Sequence, residues 1–521
     1  MEGAPQKSKS REPDPPSLWL GGLRLVLGLS ILGLSVYMLA RGGNFARALP
    51  LGPPPRIVDM ALVSGVRRDI CGLPPADGQP VVIDMVYSND KSAWIGEASN
   101  RFSRLCTNIQ VRTWPMGDVE SADAILDGEV KPTLWSPADD LVLQYLDHRW
   151  RERAGTPPFD ISKQTSLAKS PLVVLIWEDR LRVAEAIFAR QPQGEGLWVD
   201  FMCSTVPKEP QGLEKMALED KVPGTWIDWY NPVPQPAPTK KPPPAPRRGR
   251  DATIVSTIPT YSAPFPTLDQ MRKWGRVKVS HTSPTRAASG LAALYLMAYD
   301  YVLPPAKRPA ALREDIRALH ALARKEGVVF RSERVADDFK RAFAERREAL
   351  GRWLARCEAG LESAPATTQL LTSALFQGGS SRYDAVVTNE HLIFPIFARI
   401  DQFADVMAEV RVIYPQPTIL NEHPVILFDG DSSVTEAQRR AAELWIAFLR
   451  SKELQELAIT YGFRPSTPEM VIRDLDGEQN PFLRFRRYGV EAELPIIEPP
   501  RLDGRIVNEL IRIWRDSTGR N

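Results

Sequence analysis

The chain has 521 residues, enough to bury a large core and to fold as more than one compact unit. Apolar residues make up 43% and charged residues 25%, an ordinary globular balance. The 66 Lys and Arg set against 64 Asp and Glu leave no net field to attract nucleic acid, so no nucleic-acid role is supported.

Residues 17–40, SLWLGGLRLVLGLSILGLSVYMLA, form an apolar run broken by one charge, Arg24. At ~1.5 Å rise per residue, ~20 residues cross a bilayer core, so this run reads as a transmembrane anchor. Lys7, Lys9 and Arg11 precede it and place residues 1–16 in the cytoplasm as a short tail. The alternative is a cleaved signal peptide. Against that, the run is longer than an h-region, and the small-x-small candidate Ala46-Arg47-Ala48 is distant and carries an arginine. Either way, everything beyond residue 41 ends up outside the cytoplasmic membrane. Gly and Pro then mark residues 41–79 (LGPPPR, GLPPADGQP) as a stalk.

From residue 80 the pattern becomes regular. Val81 to Tyr87 reads as a strand, Ser92 to Leu105 as a helix, and Asn108 to Trp114 as a second strand. Ser121 to Leu126 reads as a short helix, Thr133 to Trp135 as a third strand and Ala138 to Trp150 as a helix. Strands alternating with helices predict βαβ units and a mainly parallel sheet, with the loops after the strands gathered on one edge. Pro171 to Trp177 is a further strand and Glu178 to Arg190 a helix. Residues 231–250, NPVPQPAPTKKPPPAPRRGR, cannot form a packed element. They read as a solvated insertion or, alternatively, as a docking site for a proline-recognising partner. Val277 to Ser280 (strand), Leu291 to Leu303 (helix) and the charged, helix-patterned stretch 308–360 follow. Thr367 to Phe376 reads as a helix and Ala385 to Val387 as a strand.

Four cysteines (Cys71, Cys106, Cys203, Cys357) lack CxxC spacing. A disulfide is compatible with an oxidising compartment, but the spacing does not say which pair forms. No HExxH or G-x-S-x-G is present, and His281 near Ser283 does not make a triad, so the sequence implies no enzyme, cofactor or metal.

Five blocks occur in a telling order: VVIDMVYSNDKSAW at 81–94, KPTLWSPADDLVL at 131–143, VKVSHTSPTRAASGLAAL at 277–294, DAVVTNEHLI at 384–393, and VRVIYPQPTILNEHPVILFDG with TEAQRRAAELWIAFLRSKELQELAITYGFRP within 410–465. Together they resemble bacterial extracellular solute-binding proteins, the two-lobed type 2 periplasmic binding proteins that usually serve ABC transporters. The resemblance implies an α/β fold with a central cleft. It implies a first lobe over 80–170, a second over 171–410 with the proline-rich insertion, a return to the first over 411–500, and a C-terminal helix over 501–521. The chain departs from the family pattern at Ala287, where relatives open a helix with serine, and in its two long insertions.

In such a fold, helix N-termini and serine hydroxyls at strand ends bind ligand oxygens. Ser88, Ser136 and Ser289 occupy that setting, and their alternative role is N-capping. Asn389 and Glu390 follow a strand at the second crossing. Glu390 would suit a cation, sugar or amine ligand, or would pair with a buried arginine. Tyr414 contacts ligand or packs at the hinge. Trp94 and Trp135 adjoin the cleft or belong to the core. The resemblance thus implies a membrane-anchored protein that captures a small ligand, an oxyanion among the candidates, for an ABC permease or sensor. The alternative is an envelope structural or regulatory protein that kept the fold and lost the ligand.

Overall fold

The computed structural model describes residues 79–188, 224–230, 264–303, 329–331, 336–363, 365–400, 410–415, 417–467, 469–494 and 496–520, with Cys71, Cys203 and Tyr261. The anchor expected at 17–40, nearly all of the stalk and the proline-rich stretch 231–250 lie outside the described residues. Among the described residues no helix is long and apolar enough to cross a membrane.

The first sheet is built around β1 (Val81–Ser88). β2 (Ile109–Met116) and β3 (Leu134–Ser136) flank β1 on its two sides, both parallel to it. The strand period of two sorts the β1 side chains. Ile83, Met85 and Tyr87 face one core with α1 (Ser92–Leu105), while Val86 faces the other with α2 (Asp118–Leu126) and α3 (Asp140–Ala154). α1 buries Trp94, Ile95, Ala98 and Phe102, one stripe of an amphipathic helix.

β4 (Thr165–Ser166) closes the first pass through this lobe, and the chain enters the second sheet along β5 (Ala168–Trp177). Nearly every residue of β5 is buried, as its unbroken apolar run requires. After α4 (Glu178–Phe188), the second lobe is completed by β6 (Val279–Ser280), α5 (Ala288–Val302), β7 (Val329–Arg331), α6 (Ala336–Gly360), α7 (Thr368–Arg382), β8 (Ala385–Asn389), β9 (Val410–Ile413) and β10 (Leu420–Asn421). β8, β9 and β10 all run antiparallel to β5, while β6 pairs parallel with β8. The expectation of a mainly parallel sheet therefore holds for β1–β3 and fails here. The crossing sets the direction of β5, and its neighbours run back towards the hinge.

The return also differs from expectation. The resemblance implies a return to the first lobe from residue 411, but β9 and β10 belong to the second sheet, and the chain changes lobe at 421–424. There β11 (Pro424–Leu427) joins β3 and β4, both antiparallel. His423 turns the corner with φ +40. α8 (Glu436–Leu449) starts with a Thr435–Gln438 capping box and packs on β1, and α9 (Lys452–Thr460) follows. A third crossing then leads to β12 (Arg464–Pro465), antiparallel to β5. It turns at Gly462, φ +87, where a Cβ would come within 2.2 Å of the Phe394 ring. Phe482, Phe485, Val490 and Ala492 accordingly pack in the second-lobe core and not in the first, as the 411–500 assignment had it. β13 (Ile496–Glu498) pairs with β7.

The C-terminal helix α10 (Gly504–Thr518) lies on both α3 and α6. α5 is buried along its whole length, as expected of a helix apolar on every side. Through these helices one apolar core runs from Val86, Trp135 and Leu146 of the first lobe to Leu172, Leu294, Trp353 and Trp514. Two disulfides pair the cysteines, Cys71 with Cys106 and Cys203 with Cys357.

Candidate functional site

Strand ends of both sheets meet where the chain crosses between them. β1 ends in Ser88, which is buried and whose Oγ has no hydrogen-bond partner. Three residues on, Lys91 is completely buried. Its Nζ donates to the Ser136 carbonyl (2.7 Å), the Ser136 Oγ (2.7 Å) and the Pro137 carbonyl (3.0 Å). None of these acceptors carries a charge. Burial draws the Lys91 pKa down to about 7, with Asp118 and Asp90 pulling the other way through space. Asp90 is pushed up to about 7, first by burial and then by Asp118, while Asn389 and Lys91 oppose the shift.

From the second lobe, Asn389 at the end of β8 donates to Asp90 Oδ2 (3.1 Å) and accepts from Asn421 Nδ2 (2.7 Å). His391 meets Ser170 Oγ through Nδ1 (2.8 Å), and its Nε2 is buried without a partner. Both ring nitrogens of His423 and the Asn421 Oδ1 are likewise buried and unpartnered. Phe463 stacks on His391 (4.2 Å between ring centres) and meets His423 edge-on. Burial in this apolar wall, with Lys91 nearby, lowers His391 to about 3 and His423 well below its usual range, so both are neutral. Buried polar atoms nearly always find partners, so the unpartnered ones here make this region the candidate site.

Beside it the lobes are tied directly. Asp118, at the start of α2 in the first lobe, accepts from Ala138 N (2.9 Å) and from Ala288 N (3.0 Å), the first residue of α5 in the second lobe. Val119 N donates to the Arg286 carbonyl (3.3 Å) across the same seam. Ser289 Oγ shares hydrogen bonds with Thr282 Oγ1 (2.8 Å) and Thr368 Oγ1 (2.7 Å). Gly290 lets α5 start against the preceding loop, since a Cβ there would lie 2.2 Å from the Thr282 carbonyl oxygen.

The structure brings Ser88, Ser136 and Asn389 together around Asp90 and Lys91 and sets Ser289 at the adjoining α5 start. None of the three serines caps a helix: Ser88 makes no cap bond, α3 is capped by Asp139, and α5 has Ala287 at its N-cap. Glu390, between Asn389 and His391, is engaged with Tyr414 and Arg464. Arg464 Nε and Nη2 donate to the two Glu390 oxygens (2.7 and 2.8 Å), and the Tyr414 hydroxyl donates to Glu390 Oε1. Trp94 and Trp135 are core residues, their indole N–H groups donating to the Leu454 carbonyl and Ser121 Oγ. Lys91, Asp118, His391 and His423 were not anticipated. Lys91 stood in the open, one residue beyond the Ser-Asn-Asp turn, whereas His423 carries no sequence signal of burial.

A cavity of about 410 Å³ is lined by the 281–286 loop, Glu358, Trp514 and Arg520, and not by Ser88, Lys91, Ser136 or Asn389. Those four are buried. Among the described residues no group of three or more His, Cys, Asp or Glu could hold a metal ion.

The family described as bacterial extracellular solute-binding protein matches residues 83–464. Among solved structures, the ferric binding protein from Campylobacter jejuni is similar at 10% identity and TM-score 0.42, covering 83% of this chain and 98% of that one. Iron-bound HitA from Pseudomonas aeruginosa is similar at 12% identity and TM-score 0.41, covering 84% and 99%. The sulfate-binding protein SubI from Mycobacterium tuberculosis H37Rv is similar at 12% identity and TM-score 0.36, covering 82% and 96%. No curated protein matches the chain in sequence.

Proposed function

Because the chain belongs to the bacterial extracellular solute-binding proteins, we propose that it captures a small anion between its two lobes and presents it to a permease or sensor. The observation that carries this reading is Lys91. Its ammonium is fully buried, and among the described residues it contacts only neutral oxygens of Ser136 and Pro137. A buried charge is ordinarily matched by an opposite charge in contact, because desolvation costs several kcal/mol per ion (about that order). An anion beside Lys91 supplies the missing partner. The unpartnered Ser88 hydroxyl adds a short neutral donor, as an oxyanion requires. Glu390, tied to Arg464 and Tyr414, braces the second lobe in this reading and does not touch ligand.

The apolar run 17–40, preceded by three cations, supports tethering by a single transmembrane helix with the lobes on the periplasmic or extracellular side. The test is thermal unfolding of the full chain in detergent against sulfate, molybdate, phosphate, small carboxylates, amino acids and sugars. An anion at 100 times its Kd should add ~2.7 kcal/mol of stability, and Lys91→Met should remove that gain. A shift produced by sugars or amines, and by no anion, would end the anion reading.

One observation favours the second reading, a structural or regulatory envelope protein without a transport ligand. The apolar core continues from one lobe to the other through α3, α5 and α10, which resists hinge opening. A protein whose unfolding none of these solutes shifts would belong to that class.

A further inference from the structure

We propose that Asp118 is an intramolecular stand-in for the anion: it latches the empty lobes shut through the Ala138 and Ala288 amides and sets the affinity of the cleft, because a solute beside Lys91 must displace it from Ala288 N. This rests on the anion reading above. The carboxylate comes from one lobe and reaches into the other. One oxygen accepts from Ala138 N beside its own lobe's α3, and the other accepts from Ala288 N at the start of α5. It is 3% exposed. Two acceptor oxygens on one negative centre, held between amides of both lobes, are what a bound oxyanion would offer at that point.

Three further features fit this role. The α5 helix has 15 residues, and its N-cap, Ala287, has no side chain with which to satisfy the exposed amides. The favourable field at such an end is instead met by a carboxylate from the far side of the cleft. Lys91, the buried cation of the site, feels the Asp118 charge through space. Finally, Val119 N donates to the Arg286 carbonyl (3.3 Å), so the residue next to Asp118 is drawn onto the same loop. A tethered group competes at a high effective concentration, so a free anion must first displace it, and the apparent Kd rises by the inverse of the unlatched fraction.

The test is isothermal titration of the full chain in detergent with sodium sulfate and sodium molybdate, comparing wild type, Asp118→Asn and Lys91→Met. Asparagine keeps the size and one acceptor but turns a donor towards the second amide. Asp118→Asn is expected to bind the anion at least about fivefold more tightly than wild type, within the usual range of coupling energies, and Lys91→Met not to bind. Equal Kd values for wild type and Asp118→Asn would overturn the latch and leave the anion reading standing. Weaker binding by Asp118→Asn would also overturn it, by showing that Asp118 builds the site. No binding by either, with both folded by circular dichroism, would overturn the anion reading and the latch with it. A variant-free check is small-angle scattering of wild type. The latch predicts a closed empty protein whose radius of gyration does not fall on saturation with molybdate, and contraction would refute it.

Discussion

Arg464→Met is the sharpest test of whether the Glu390 cluster braces the fold. The arginine makes two charge-assisted bonds to Glu390 (2.7 and 2.8 Å) and donates to the Ala492 and Glu491 carbonyls (3.1 and 2.6 Å). Glu390 is fully buried, so methionine in place of Arg464 leaves a carboxylate with only the Tyr414 hydroxyl for company. Removing one partner of a buried pair costs ~3–5 kcal/mol, because the remaining charge is uncompensated. With unfolding entropy near ~2.1 cal/mol/K per residue, a domain of this size should lose about 3–5 °C in Tm. The assay is urea and thermal unfolding of wild type, Arg464→Met, Glu390→Gln and the double variant. The double variant should be less destabilised than the sum of the singles by at least about 2 kcal/mol. Additive single effects, or an Arg464→Met within about 1 kcal/mol of wild type, would refute the reasoning.

Three other outcomes follow from the same geometry. His391 and His423 have folded-state pKa values below the unfolded value of ~6.5, so their contribution to stability is present above that pH and is lost as pH falls below it, for His391 down towards about 3. With the unfolded rings half protonated at pH ~6.5, each contributes a loss of up to ~1.6 kcal/mol by pH 5, so wild type should lose as much as about 3 kcal/mol relative to His391→Gln/His423→Gln over that range, measured by urea unfolding; parallel profiles would contradict this. Anion affinity should rise as pH falls from 9 to 6. Lys91 becomes protonated, and Asp90 loses its repelling charge, near 7. A Kd constant across that range, by titration calorimetry, would contradict the placing of the anion beside Lys91. Gly290→Ala forces a methyl to 2.2 Å from the Thr282 carbonyl oxygen, so the start of α5 must shift, at ~1–3 kcal/mol in unfolding; a neutral substitution would show that the loop yields freely.

Local structure was well written in the sequence where one face is apolar and the ends are marked. Ser92–Leu105 occurs with the bounds its periodicity predicts, and Val81–Tyr87 extends only to Ser88. What the chain could not announce was partnership between distant segments. Val410–Ile413 reads as a strand, but nothing local says that it joins β5 and does not carry the chain home. The cysteine spacing is equally silent about Cys71–Cys106 and Cys203–Cys357. At the site, Ser88, Ser136 and Asn389 were legible because they follow apolar strands, and their burial comes from the crossing of two sheets. Asp118 was hidden by a small error: the short helix was expected from Ser121, three residues late, which left its first-turn carboxylate in a loop. Lys91 gives no signal because a lysine after a strand is usually solvated, whereas here it is completely buried against Ser136 and Pro137.

The central claim is that an anion completes the buried Lys91 site, and the most direct measurement is anomalous scattering from crystals of the protein grown with selenate. The account predicts a selenium peak within hydrogen-bonding reach of the Lys91 ammonium and the Ser88 hydroxyl, with the Asp118 carboxylate displaced from Ala288 N. Selenium only on the surface, with Lys91 still bonded to Ser136 and Pro137 alone, would contradict it.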